Sequence, residues 1–172
     1  MLSDSVERAI NRQINHELSS AYVYLSMSAY FEQANFPGFG HWARVQSQEE
    51  IVHAMKLFDY LNDRGGAVRL QAVAEPPADF ASVLEVFETA LEQEKEVTKL
   101  IHQLYEFVSD ERDRATQVLL EWFIQEQVEE EKSTSTIVEQ LRLVGDNGTG
   151  MLILDRELGA RQAQAEEGAG GE

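Results

Sequence analysis

The sequence contains no cysteine. That absence removes disulfides, zinc–thiolate sites, iron–sulfur clusters and thiol nucleophiles together. Carboxylate and imidazole are left to hold any transition metal, a donor set suited to iron or manganese rather than copper(I). Proline occurs only at Pro37, Pro76 and Pro77, so long stretches are free to be helical. No run approaches the roughly 18 uninterrupted apolar residues of a membrane span. The first residues, which include Asp4 and Glu7, lack the apolar core of an export signal, so a cytoplasmic location is expected. Cations are scarce: 14 Lys+Arg stand against 31 Asp+Glu, a net charge of −17. Such a field repels nucleic acid and anionic membrane, neither of which is an expected partner, and it draws cations. The same charge also serves as a plain solubility device or as adaptation to salt. With 43% apolar residues, 172 residues suffice for one domain with a real core.

The rare prolines and the glycines punctuate the chain. A first helix is expected from Ser3-Asp4 to about Asn35, ahead of Phe36-Pro37-Gly38, and a second from Gly38 to Arg64, ended by Gly65-Gly66. Residues 67–80, with Pro76-Pro77, form a long connection. A third helix runs from Ser82 to Ser109, and a fourth from beyond Asp113 to Val144. Gly145, Gly148 and Gly150 then break the chain before a short fifth helix from Met151 to about Ala163. The expected unit is residues 1–163, with a disordered Gly, Ala and Glu tail over 164–172. Four helices of about 27 to 32 residues span roughly 40 to 48 Å. Their connections are short, long, short. Short loops join antiparallel neighbours, and the long one can cross the length of a bundle. The fold class is therefore all-α: a four-helix bundle with one long crossover plus a short fifth helix.

Each long helix has an apolar stripe at helical spacing, and each stripe is interrupted at mid-length by ionisable residues. On the first the interruption is Glu17, between Ile14 and Ala21; on the second it is Glu50 and His53, between Gln46 and Leu57. On the third it is Glu94, alone among eight stripe positions. On the fourth it is Gln127 and Glu130, between Phe123 and Thr134. A lone buried carboxylate costs several kcal/mol unless it is paired or bound to metal. The interruptions also share a register. Glu17 lies 77 residues before Glu94, and the same spacing pairs Glu50 with Gln127, His53 with Glu130, Gln48-Glu49 with Gln125-Glu126, and Ser5 with Ser82. The halves look like a diverged helix-pair repeat whose pseudo-two-fold axis passes through one polar layer. Four glutamates there would neutralise two divalent cations. Glu50 and His53, three residues apart, face the same way. Glu50 is placed to bridge two ions, with Glu17 and His53 completing one site and Glu94 and Glu130 the other. Hard carboxylates favour iron cycling between Fe(II) and Fe(III).

The combination of Glu17, Glu50-x-x-His53, Glu94 and Gln127-x-x-Glu130 on helices of these lengths resembles the bacterial non-haem ferritins, over about residues 3–162. The resemblance implies a ferroxidase centre that oxidises two Fe(II) with dioxygen or peroxide, and a homo-oligomeric shell of 24 subunits storing Fe(III) as mineral. It further implies a third iron site at Glu49, Glu126 and Glu129, sharing Glu130. Tyr24 becomes a hydrogen-bond partner or electron donor beside the centre, and Gln127 orients a bound species. Bacterioferritins differ in carrying Glu-x-x-His on the fourth helix too, and a haem-binding methionine where this chain has Ile51, so no haem is expected. Rubrerythrins would need four cysteines. His16, His41 and His102 lack acidic company on a core face and are expected at the surface or in packing. Glu131 and the corner Asp110, Glu111 and Asp113 are expected to be solvated, although the resemblance puts three-fold channels at that corner. Two other readings keep the bundle. One is a di-iron oxidase or peroxidase that stores nothing; the other is a helical scaffold whose acidic layer is only structural.

Overall fold

Ser3 opens the first helix with extended backbone and a side chain that accepts a hydrogen bond from the Val6 N–H at 3.3 Å. In the computed structural model, which describes residues 2–162, this helix, α1, spans Asp4–Gln33. It is followed by α2 (Pro37–Asp63), α3 (Val83–Asp110), α4 (Arg114–Val144) and α5 (Gly148–Leu158). The tail over residues 164–172 lies outside the described residues. Ser82 caps α3 as Ser3 caps α1. Ser5, its partner at the 77-residue spacing, lies inside α1, and its hydroxyl donates to Glu111 at 3.2 Å. The repeat therefore relates the middles of the helices better than their ends.

Stepping along the stripes, every residue from Ile10 to Phe31, Phe39 to Leu61, Val83 to Val108 and Leu120 to Leu141 that the periodicity selects is buried. The apolar ones divide into two cores. One joins Tyr24, Phe31, Phe39, Phe87 and Ile137 with Leu154 of α5. The other joins Ile10, Ile14, Leu57, Leu61, Ile101 and Phe123. The polar layer lies between them. Low-numbered residues of α2 and α3 share the first core, and those of α1 and α4 share the second, so α2 and α3 run parallel. The segment between them must therefore travel the whole bundle. It does so along α1, sewn down by hydrogen bonds. The Asn11 amide donates to the Ala67 carbonyl at 2.9 Å, Asn11 accepts from the Arg69 N–H at 2.6 Å, and Ser26 donates to the Pro77 carbonyl at 2.6 Å.

The ends of the helices explain two departures from expectation. Gly145, at φ +53°, stops α4, but Gly148 and Gly150 lie within α5. Asn147 caps that helix by accepting from the N–H groups of Thr149 and Gly150, both at 3.1 Å, so α5 starts earlier than its apolar run. It also ends earlier, at Leu158. The corner after α3 is more than a solvated loop. Asp113 caps α4 and is forked at 3.2 Å by Arg64 from the end of α2.

α2 has no side-chain cap of its own. Buried Asp155 of α5 supplies one, accepting the Phe39 N–H at 2.9 Å, where the helix dipole favours an acidic group. This docking is tight enough that a Cβ on Gly38 would sit 1.7 Å from the Asp155 carbonyl oxygen. Gly38→Ala is therefore expected to push α5 off the bundle and to cost about 3 kcal/mol. Thermal unfolding of the assembled protein and tryptic cleavage at Arg156 measure this, and wild-type behaviour in both would refute the docking role.

Candidate metal centre

Burial sets the chemistry of the polar layer. Glu17 and Glu94 are 0% exposed, Glu50 2%, and His53 and Glu130 6% each. They come from all four long helices. Glu17, Glu50 and His53 are drawn together, offering ligand atoms that all lie within 4.8 Å of one another. His53 Nδ1 is 3.5 Å from Glu50 Oε2, and its ring is held edge-on to Trp122 and Phe123, with centroids 5.5 and 5.9 Å away. Gln13 donates to Glu17 Oε1 at 2.7 Å. The other oxygen, Glu17 Oε2, and Glu50 Oε2 are buried without a hydrogen-bond partner. Orphaned carboxylate oxygens beside an imidazole fit a divalent cation. That is the test the layer passes.

On the far side, Glu94 and Glu130 are held by neutral donors. Tyr24 donates to Glu94 Oε1, and the Gln127 amide donates to Glu94 Oε2 and to its carbonyl, both at 3.2 Å. Gln46 donates to Glu130 Oε2 at 3.0 Å. Among the described residues, no second group of three acidic or imidazole side chains gathers as closely as the first. Glu49 is mostly buried and pairs with Arg161 at 2.7 Å. Glu126 is half-buried and Glu129 exposed. His41 and His102 are exposed and His16 is half-buried, and none of the three joins the group of Glu17, Glu50 and His53. Glu131 is half-buried rather than fully solvated, accepting from Thr98 at 2.5 Å.

The electrostatics follow from crowding. Burial, then the charge of Glu50, pushes the Glu17 carboxyl well above its ordinary range. Burial, then Glu94, does the same to Glu50. Burial and the Glu130 charge raise Glu94 to about 7, against hydrogen bonds from Tyr24 and Gln127 that pull it down. Burial, then Glu49, raises Glu130. Without cations, desolvation and like charges make ionisation of the layer costly. Divalent cations would offset that cost.

Sequence patterning does not mark Gln13 or Arg161 as contributors, and it marks Gln46 only as a stripe residue. The stripe points Gln46 inward, but nothing in its spacing says which carboxylate it meets. Arg161 is a single cation beyond the last helix, and it carries no local signal.

A bundle with one long crossover and a buried carboxylate–imidazole layer at mid-height is the build of a carboxylate-ligated metal protein. Residues 7–144 match the family profile described as a ferritin-like domain. The chain is 40% identical over 161 residues to the bacterial non-heme ferritin of Staphylococcus aureus strain USA300, covering 94% of this chain and 97% of that one. It is 42% identical to that of Bacteroides fragilis strain 638R, covering 94% and 100%. A closed form of the Archaeoglobus fulgidus ferritin made by mutagenesis superposes with a TM-score of 0.94 at 50% identity, over 95% of this chain and all of the other. The open-pore ferritin of the same archaeon gives 0.93 at 51%, over 94% and 100%. The chain belongs to the ferritin family. It is an iron-storage protein by kinship and carries a Glu17, Glu50 and His53 candidate site for metal.

Proposed function

We propose that this chain is the ferroxidase subunit of a cytoplasmic iron-storage cage of 24 copies. It oxidises Fe(II) with dioxygen or peroxide and deposits the Fe(III) as mineral inside. The observation that carries this reading is the pair of orphaned oxygens, Glu17 Oε2 and Glu50 Oε2, beside His53 in a layer of four buried carboxylates. Glu17, Glu50 and His53 take one Fe(II), and Glu94 and Glu130, with Glu50 shared, take the second. Each iron gives one electron to the oxidant. The carboxylates favour Fe(III), a harder and more highly charged ion than Fe(II).

The surrounding residues hold the geometry and the protons. Gln13 fixes one oxygen of Glu17. Tyr24, fully buried, keeps its hydroxyl proton because burial and the Glu94 charge push its pKa well up, so it donates to Glu94. From there it can also serve as an electron source. Gln127, on Glu94, orients what binds between the irons. Glu49, Glu126 and Glu129 form the third site on the way out. The single imidazole makes the second site all-carboxylate and the looser of the two, which suits onward passage. Tyr22, Leu25, Ile51, Val52 and Met55 on α1 and α2, with Leu152 and Ile153 on α5, are large apolar side chains left exposed. Such surface is what other copies of a subunit cover, and the description of a relative as an open-pore ferritin fits a hollow shell.

An aerobic Fe(II) titration of the assembled protein, followed by size analysis and iron counting, tests the reading. Fast oxidation should saturate near two or three irons per chain, then continue to a mineral-sized load per assembly. A small dimer on gel filtration, or no fast phase, would overturn it.

A further inference from the structure

Beyond α5 the chain turns back, and Arg161 reaches the bundle. Its guanidinium passes over the Trp42 ring, 5.6 Å from the centroid, and its carbonyl meets His41 Nε2 at 2.8 Å. One arm of the fork, Nη1, donates to Gln46 Oε1, and the other, Nη2, donates to Glu49 Oε2 at 2.7 Å. Gln46 is 0% exposed. With its oxygen taken by Arg161, its amide nitrogen can only face Glu130 Oε2, at 3.0 Å. The second oxygen of Glu49, Oε1, is buried and has no partner. One cation thus holds Glu49 directly and Glu130 through a single buried amide.

We infer that Arg161 is a built-in stand-in cation at Glu49, which a metal ion must displace before it can occupy the third site. Resting on the ferroxidase reading, this makes Arg161 the positioning residue that sets how readily metal leaves the pair. A guanidinium suits the task, because its planar fork engages the amide and the carboxylate at once while its single charge is weaker than that of a divalent ion. Displacing it frees Glu49 and also releases the Gln46 amide, and with it the orientation of Glu130. Arrival of metal at the third site is thereby coupled to loosening of the pair.

Calorimetric titration of the metal-free assembled protein with Zn(II) tests this without turnover. Two tight zinc ions per chain are expected, with a weak third step. Arg161→Gln should tighten the third step about tenfold, the worth of one lost charge-assisted competitor. Arg161→Lys, which keeps the charge but not the fork, should fall between the two. Adding Glu49→Gln to Arg161→Gln should cancel the gain. An unchanged or weaker third step in Arg161→Gln, or a gain that survives Glu49→Gln, overturns the inference and leaves the ferroxidase reading standing. Fewer than two tight zinc ions in wild type would overturn that reading, and the inference with it.

Discussion

Glu94→Ala should abolish the fast phase of Fe(II) oxidation, by about 100-fold or more, and leave the assembly intact. Losing residues that merely support metal ligands typically costs about 10–100-fold in affinity or activity, so removing a proposed ligand should cost at least as much. The assembly should survive because Glu94 lies between the two apolar cores and belongs to neither. The alanine variant carries a side effect that a second substitution separates. It leaves the buried Tyr24 hydroxyl without its partner, at about 1–3 kcal/mol, and takes from the Gln127 amide one of its acceptors while the Glu94 carbonyl remains. Glu94→Gln keeps an oxygen for Tyr24, loses the charge, and turns the oxygen that faces Gln127 into an amide nitrogen, while Gln127 keeps the Glu94 carbonyl. It should lose the fast phase equally while unfolding at a higher temperature than the alanine variant. Stopped-flow oxidation beside thermal unfolding reads both quantities, and a wild-type rate in either variant would remove Glu94 from the chemistry.

The second large effect is on pH. Glu94 is raised from 4.5 to about 7, and Glu17, Glu50 and Glu130 are raised as well. A carboxyl whose folded pKa is raised stabilises the fold fully below its unfolded pKa, and that contribution is lost as pH rises through the folded value. The metal-free protein should therefore lose stability between about pH 4.5 and 7, by on the order of 3 kcal/mol per chain from Glu94 alone. Metal binding reverses the sign, because the bound carboxylates are ionised and their protons leave. The gap in unfolding temperature between Zn(II)-loaded and metal-free protein should widen from pH 5 to 7, and binding should release protons that a buffer-dependence series in calorimetry would count. In Glu94→Gln the metal-free slope should flatten. A metal-free protein that grew more stable over this range would contradict the crowding of protonated carboxylates at its centre.

Much of the fold and of the polar layer is legible in the sequence. Stripe periodicity selects side chains facing one way, so Ile10 through Leu141 could be assigned to the core by counting. The 77-residue spacing then set Glu17, Glu50, His53, Glu94 and Glu130 at one height. What counting cannot supply is long-range and specific. Asp155 caps a helix 116 residues away in sequence, and Arg161 reaches Gln46 across 115. Neither leaves a periodic trace, because each is a single contact, one from a short helix and one from the chain just beyond it. Even the start of α5 departs from its apolar run for a local reason, since that run begins at Met151 but the Asn147 cap comes earlier.

The division of the core into two apolar halves bears on what iron is to this protein. Many small metal sites are staples: the chain folds around the ion, and a chelator unfolds it. Here each half is packed without help from the layer between, Phe31, Phe39 and Phe87 at one end and Ile10, Leu61 and Phe123 at the other. The helices are pinned above and below the site, so its walls keep their spacing whether or not an ion lies between them. Iron is then freight rather than framework. On the proposed function, a subunit built this way should not have to refold when iron enters or leaves its layer.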